Sequence, residues 1–275
     1  MIRESRRIRA HIKKYNAGVL KKLMLLRERV PDWQAYPFSV AAIRALKELS
    51  FQSRIAFFAG ENGSGKSTLL EAIAAHYGFG REGGNRSFLN DSTASNRSID
   101  PLVKALRLSF DVRTGAGFFL RAESFFNTAS HIDDLDREPV FHGIPVIEAY
   151  GGKSLHERSH GETFFTLLDL KFRRNGLFLL DEPEAALSPQ RQLSFLVLIH
   201  DVLRKYKDAQ FIISTHSPVL LAYPKAQIFS FDDGQIREVD YEATGSFQVV
   251  HRFLNEREQF LDELFAETPS LFEDP

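Results

Sequence analysis

The chain has 275 residues and a mass of 31.3 kDa, enough for one large α/β domain or two small ones of about 100–200 residues each. With 43% hydrophobic and 26% charged residues it has an ordinary globular composition, which excludes wholesale disorder and collagen-like sequence. It has no cysteine, which excludes disulfides, zinc–thiolate sites, iron–sulfur clusters and thiol nucleophiles.

The net charge of −1 divides unevenly along the chain. Residues 1–30 hold ten Lys/Arg and two Glu, a local +8, so the other 245 residues sum to −9. A basic head suits nucleic acid or an acidic partner surface. The alternative is a solvated tail running into a strand, Val19 to Val30, with charge on its exposed face; an organellar transit peptide also starts in this Arg-rich way. Ile55 to Ala59 forms a short apolar run suited to a buried strand. After a glycine-rich turn, Leu69, Leu70, Ile73, Ala74 and Tyr77 recur at helical spacing until Gly78. Residues 78–101, rich in Gly, Ser and Asn, read as a polar loop.

Further on, Leu106 to Val112 and Gly117 to Arg121 read as strands, Phe164 to Phe172 as helix, and Leu177 to Leu180 as buried strand. Gln190 to Tyr206 reads as helix and Phe211 to Ile213 as another buried strand. Ile228 to Phe231 and Gln235 to Val239 flank Asp232-Asp233-Gly234, a hairpin signal, and Phe247 to Phe265 reads as one closing helix. Short buried strands alternating with helices predict an α/β fold with a mostly parallel sheet flanked by helices. One domain, 1–275, is expected, with a basic segment 1–30, a helical subregion near 118–175 and an acidic helix and tail over 247–275. The last twenty residues carry seven acids and one Arg. The longest uninterrupted apolar run is five residues, for example Phe195 to Ile199, against the ~20 a membrane span needs. With no secretory apolar region after Met1, a cytoplasmic location without membrane insertion is expected.

Gly60-Glu61-Asn62-Gly63-Ser64-Gly65-Lys66-Ser67 fits the P-loop pattern in full and sits between a predicted strand and a predicted helix. Glycines let the backbone curl so that successive N–H groups of Glu61 to Ser67 face a phosphate, and the helix N-terminus adds its dipole. Lys66 is expected to reach the β- and γ-phosphates, the Ser67 hydroxyl to ligate Mg²⁺, and Thr68 to touch phosphate through its backbone or hydroxyl. Leu177 to Leu180 leaves Asp181 and Glu182 at a strand's C-terminal end, where α/β sheets bind ligands. Asp181 is a candidate Mg²⁺ ligand, and Glu182 a candidate base for the attacking water. His216 follows the next buried strand, Phe211 to Ile213, and is a candidate contact for the γ-phosphate and that water.

Gly60 to Thr68, Ser159-His160-Gly161-Glu162, Asp181-Glu182-Pro183 and Ser214-Thr215-His216 resemble, in order, the Walker A, signature, Walker B and switch-histidine motifs of the ABC-type ATPases. The resemblance implies ATP and Mg²⁺ as ligands. It also implies a small helical arm bearing the signature, whose Ser159 and Gly161 bind the nucleotide held by a second subunit's P-loop. A homodimer follows from it. The separation of 93 positions from Lys66 to Ser159 leaves no room for a long coiled coil. The chain more closely resembles small standalone bacterial ABC-type ATPases, grouped with AAA-type P-loop proteins. A nucleic-acid or effector-protein partner in repair or defence is the expected role; the alternative is a nucleotide-binding subunit of a membrane transporter.

The chain also departs from that pattern. No Gln follows Gly117 to Arg121, leaving Glu123 or Asn127 as substitutes or as plain surface or core residues. Ser188 stands where the family commonly has Asp. Tyr36 and Phe38 are candidates for stacking on adenine, with core packing as the alternative.

Overall fold

The computed structural model describes residues 20–79, 98–111, 116–122, 165 and 168–267. The sequence alternates so that each central strand is buried on both faces. Ile55, Phe57 and Ala59 of β3 (Ile55–Ala59) join one apolar cluster, while Ala56 and Phe58 join another. Strand β6 (Gly176–Asp181) divides in the same way, Phe178 and Leu180 against Leu177 and Leu179. This is the period of two that a strand imposes, read in a sheet covered on both sides.

The main sheet has six strands in the order β5-β6-β7-β3-β8-β9, with β5 (Gly117–Arg121), β7 (Ala209–Ser214), β8 (Gln227–Ser230) and β9 (Arg237–Val239) beside the two above. Neighbours pair in parallel except β8 with β9, which form the expected hairpin. One face packs on the helix Lys66–Tyr77, with Leu69, Leu70 and Ile73 fully buried. The other packs on Pro189–Lys205, where Phe195 meets Phe172 with ring centroids 6.3 Å apart. Phe172 lies edge-on to Phe211, and Phe211 stacks on Phe178, both at 4.9–5.0 Å. The expected α/β fold with a mostly parallel, helix-flanked sheet is therefore present.

The expected strand from Leu106 is present, to Phe110, though outside the main sheet. Strand β4 (Leu106–Phe110) pairs antiparallel with β1 (Leu20–Leu25), which also pairs with β2 (Glu48–Ser50), making a separate three-stranded sheet. Three other expectations need correction. The expected strand to Val30 stops at Leu25, and Arg27–Arg29 forms a 3-10 turn whose Arg27 guanidinium lies over the Trp33 ring. The single closing helix is two, Gly245–Asn255 and Arg257–Glu267, broken at Glu256. There Arg252 pairs with Glu256 four residues on and also with Glu263 eleven residues on, a reach that a straight helix does not allow, while Phe260 packs edge-on against Phe253. The expected loop over 78–101 also ends early, because Asp100–Ala105 is helical with Pro101 in the first turn, where its missing N–H costs nothing.

Two buried amides join the sheets. Gln210, on β7, accepts from the Leu20 N–H at 2.7 Å and donates to its carbonyl at 3.0 Å, as a neighbouring strand would. Gln227, on β8, does the same to Gln52 N and Ser50 O. A buried polar side chain is tolerated in the interior when its donors and acceptors are matched this way. No helix among the described residues is long and apolar enough to cross a membrane.

Candidate functional site

Parallel pairing places the C-terminal ends of β5, β6, β7 and β3 along one edge, and Lys66, Ser67, Asp181, Glu182 and His216 follow or end those strands. Arg121, Asp181 and Ser214 lie in one row across the sheet, and Ser214 pairs with Phe58 of β3. The turn after β3 needs its glycines. At Gly65, with φ of 104°, an added Cβ would stand 2.9 Å from Val40 Cγ1, so both the left-handed backbone and the close approach demand glycine. Gly78 closes the helix in the left-handed conformation, as its sequence position implied.

Lys66 is 3% exposed, and its ammonium donates to the carbonyls of Gly60 at 2.7 Å and Glu61 at 2.8 Å. Burial pulls its pKa below the ordinary lysine value, opposed by the carboxylates of Glu182, Asp181, Asp232 and Glu61. The Ser67 hydroxyl donates to Asp181 Oδ1 at 2.8 Å, joining the two candidate metal ligands. Asp181 Oδ2 faces Arg121 Nε at 3.5 Å, and Arg121 also reaches Glu71. Burial pushes the Asp181 carboxyl above its ordinary range, against the Ser67 hydrogen bond and the Arg121 charge. Glu61, Asn62 and Gly63 are exposed and Ser64 half-buried. The Thr68 hydroxyl lies 3.1 Å from the Tyr36 hydroxyl. Tyr36 is 48% exposed, not packed in the core, whereas Phe38 is buried beside Trp33.

Glu182 does not continue the strand. Its backbone is left-handed at φ 50° and ψ 51°, a conformation costing a non-glycine residue about 1–2 kcal/mol, and its N–H donates to Ser214 O at 2.9 Å. Its carboxylate thereby comes within 3.3 Å of His216 Nε2. Strain of this kind persists where the surroundings over-determine it, and functional sites are where it collects.

Residues 123–164, with Ser159, Gly161, Glu162, Glu123 and Asn127, lie outside the described residues.

Two carboxylates escaped the sequence reading. Asp232, read only as a hairpin turn, accepts from the Glu61 N–H at 3.0 Å and from Ser230 Oγ at 2.9 Å, bracing the P-loop from β8. Its signal was position: it directly follows the neighbouring strand, near that strand's C-terminal end. Glu184 accepts from Thr215 Oγ1 and from the His216 N–H, and only the three-dimensional turn reveals it. Burial pushes the Glu184 carboxyl above its ordinary 4.5. A raised carboxyl subtracts from folding stability when ionised, and that loss is recovered as pH falls through the raised folded value. Glu184→Gln is therefore expected to raise the thermal midpoint of nucleotide-free protein at pH 7. The advantage should shrink on acidification and vanish by about pH 4, below the ordinary glutamate value. Scans of both proteins across that range check it.

The residues present fit a nucleotide with its cation. Among the described residues, Ser64 Oγ in the turn is buried without a hydrogen bond, though such atoms are rare in folded proteins. Mg²⁺ takes few protein ligands and completes its shell with phosphate and water, which one hydroxyl and one carboxylate suit. A cleft of about 180 Å³ lined by Gly60, Glu61, His216, Asp232, Val249 and Val250 opens beside these groups. A larger one of about 550 Å³, around Tyr223 and Tyr241, shares no residue with them.

Fold and site together have the arrangement of a P-loop nucleotide-binding domain: a buried parallel strand, a glycine turn with its lysine, and a facing carboxylate on another strand of the same sheet. Residues 155–222 match a family described as "AAA domain, putative AbiEii toxin, Type IV TA system", and residues 39–139 match one described as "AAA domain". Among solved structures, the chain is similar to MJ1267, an ATP-binding cassette of an ABC transporter in its ADP conformation. That match has 15% identity and a TM-score of 0.46, over 92% of this chain and 100% of that one. It is also similar to the SMC head domain from Thermotoga maritima, at 15% identity and a TM-score of 0.42, over 80% of this chain and 99% of that one. A putative metal-chelate type ABC transporter in an inward-facing conformation matches at 13% identity and a TM-score of 0.43, over 74% of this chain and 80% of that one. No curated protein matches.

Proposed function

We propose that this chain hydrolyses ATP with Mg²⁺ as an ATP-gated head-to-tail dimer, and that the cycle regulates a nucleic-acid or effector process in repair or defence. The observation that carries the reading is the joining of two pairs at one sheet edge. Ser67 and Asp181, 2.8 Å apart, are placed to hold a cation, and Glu182 and His216, 3.3 Å apart, are placed to handle the attacking water.

Mg²⁺, when bound by Ser67 and Asp181, supplies charge neutralisation on the β- and γ-phosphates. Lys66 and the N–H groups of the turn from Glu61 to Thr68 hold the phosphates, and Asp232 keeps that turn in shape. Glu182 takes a proton from the attacking water as the water's oxygen bonds to the γ-phosphorus and the bond to the β-phosphate oxygen breaks, giving ADP and phosphate. His216 orients the water and γ-phosphate. Ser159 and Gly161 of a second copy complete the site, so two copies related by a two-fold axis build two sites at once. Binding of ATP joins them and hydrolysis releases them.

The family match over residues 155–222, whose description mentions a toxin of a Type IV toxin–antitoxin system, and the +8 charge of residues 1–30 support a defence or nucleic-acid role over a transporter subunit. Steady-state hydrolysis by the whole chain, with and without duplex DNA, tests it against a Glu182→Gln blank. DNA stimulation that vanishes in the blank is expected. A Glu182-dependent rate indifferent to DNA overturns the nucleic-acid part, and no rate above the blank overturns hydrolysis by the isolated chain.

A further inference from the structure

Glu182 and His216 follow different strands, so something must fix their separation. Glu184 lies two residues after Glu182, in the 3-10 turn Pro183–Ala186. Its Oε1 accepts from the His216 N–H at 2.6 Å and from Thr215 Oγ1 at 2.7 Å. The same Thr215 oxygen accepts from the Ser217 N–H at 3.0 Å. Ser217 Oγ donates to Gln192 Oε1 at 2.5 Å, and Gln192 Nε2 donates to Leu187 O at 3.1 Å. Leu187 closes the ring by donating its N–H to Glu184 O at 3.0 Å. Residues 215–217 are thus fastened at both ends to the turn that begins at Glu182.

Burying a carboxylate is costly, and a site that needed only bulk would accept an apolar residue at less cost. The two short bonds both end on the main chain and side chain that carry His216, which gives Glu184 a purpose beyond packing. We propose that Glu184 is the positioning residue of this site, its Oε1 holding the His216 main chain so that Nε2 faces the Glu182 carboxylate. The inference rests on the reading of Glu182 and His216 as the pair that handles the attacking water. Glu184 touches neither nucleotide nor water in this scheme, and it acts through His216 alone.

The test compares Glu184→Ala, Glu184→Gln and Thr215→Val in the full chain by kcat, KM and the ¹⁵N resonances of the His216 ring. A displacement of about 1 Å in a positioned group can cost 10²-fold in rate, so Glu184→Ala is expected to lose about that much kcat with KM held. Glu184→Gln keeps the accepting oxygen and should restore the rate. Thr215→Val removes one of the two donors and should give a smaller loss, which keeps the idea testable should Glu184→Ala not fold. The His216 ring signals should move in Glu184→Ala and stay in Glu184→Gln. An unchanged kcat in Glu184→Ala or in Thr215→Val overturns the proposal, as do equal losses of kcat, KM and thermal stability in Glu184→Ala and Glu184→Gln. If the unmodified chain shows no Glu182-dependent turnover, the hydrolytic reading fails. The ring resonances still decide whether Glu184 positions His216.

Discussion

Glu182→Gln is expected to lower kcat by about 10²–10⁴-fold, the usual share of a positioned general base, while ATP affinity stays within a few-fold. The substitution preserves shape and removes only the proton acceptor. The left-handed backbone at Glu182 is imposed by its surroundings, its N–H donating to Ser214 O, so glutamine should occupy the same place. Lys66, Ser67 and Asp181 remain, and binding should survive. A chain that binds ATP and cannot split it should accumulate in the joined state, so light scattering with Mg²⁺ and ATP should show dimers in Glu182→Gln. The unmodified chain should return to monomers as ATP is spent. A second change, Ser159→Arg, should abolish those dimers by blocking the surface that meets the other copy's nucleotide. A monomer under every condition would sink the head-to-tail reading while leaving the ATPase reading intact. Loss of ATP binding in Glu182→Gln alone would show instead that this carboxylate holds the nucleotide.

The site was legible in the sequence wherever its residues are neighbours along the chain. Gly60 to Thr68 lies on one strand-turn-helix passage, and its chemistry is written in the residue types. Asp181 and Glu182 were visible because four apolar residues lead straight into two acids at a strand's end. The pairing of Ser67 with Asp181 followed only once parallel order was assumed, and parallel order was itself inferred from strands buried on both faces.

What escaped depends on distance in sequence or on ambiguity between neighbours. Asp232 and Glu184 reach across to groups 171 and 32 residues away, and apart from Asp232's place after a buried strand nothing local distinguishes them from turn acids. The antiparallel sheet of β1, β2 and β4 escaped because its strands alternate buried and exposed residues only loosely, and β2 spans just three residues. The break at Glu256 escaped because apolar periodicity runs through it. Arg252 decides it by reaching Glu263 in the next helix.

Gly117→Ala is expected to be among the most damaging single substitutions outside the P-loop, and the reason lies in the ladder between β5 and β6. Gly117 pairs with Leu177 in the parallel register, and its backbone sits at φ 142°. A Cβ there would stand 1.9 Å from the Leu177 carbonyl oxygen and 2.8 Å from Phe79 Cζ. The carbonyl is backbone at the first pair of the ladder, so relief requires the two strands to part there. Such changes belong with the rare losses of about 4 kcal/mol or more, against a total stability of roughly 5–15 kcal/mol. Gly63→Ala is the matched comparison, because φ is 77° there and nothing lies within 4 Å of an added Cβ. It should cost only the left-handed conformation itself, about 1–2 kcal/mol. Urea denaturation of nucleotide-free protein separates the two, the first lowering the midpoint much further at an unchanged slope. Equal midpoints would mean that β5 does not lie against β6 in this register. That outcome would also undo the pairing of Arg121 with Asp181, because the same ladder carries Arg121 to the Asp181 carboxylate.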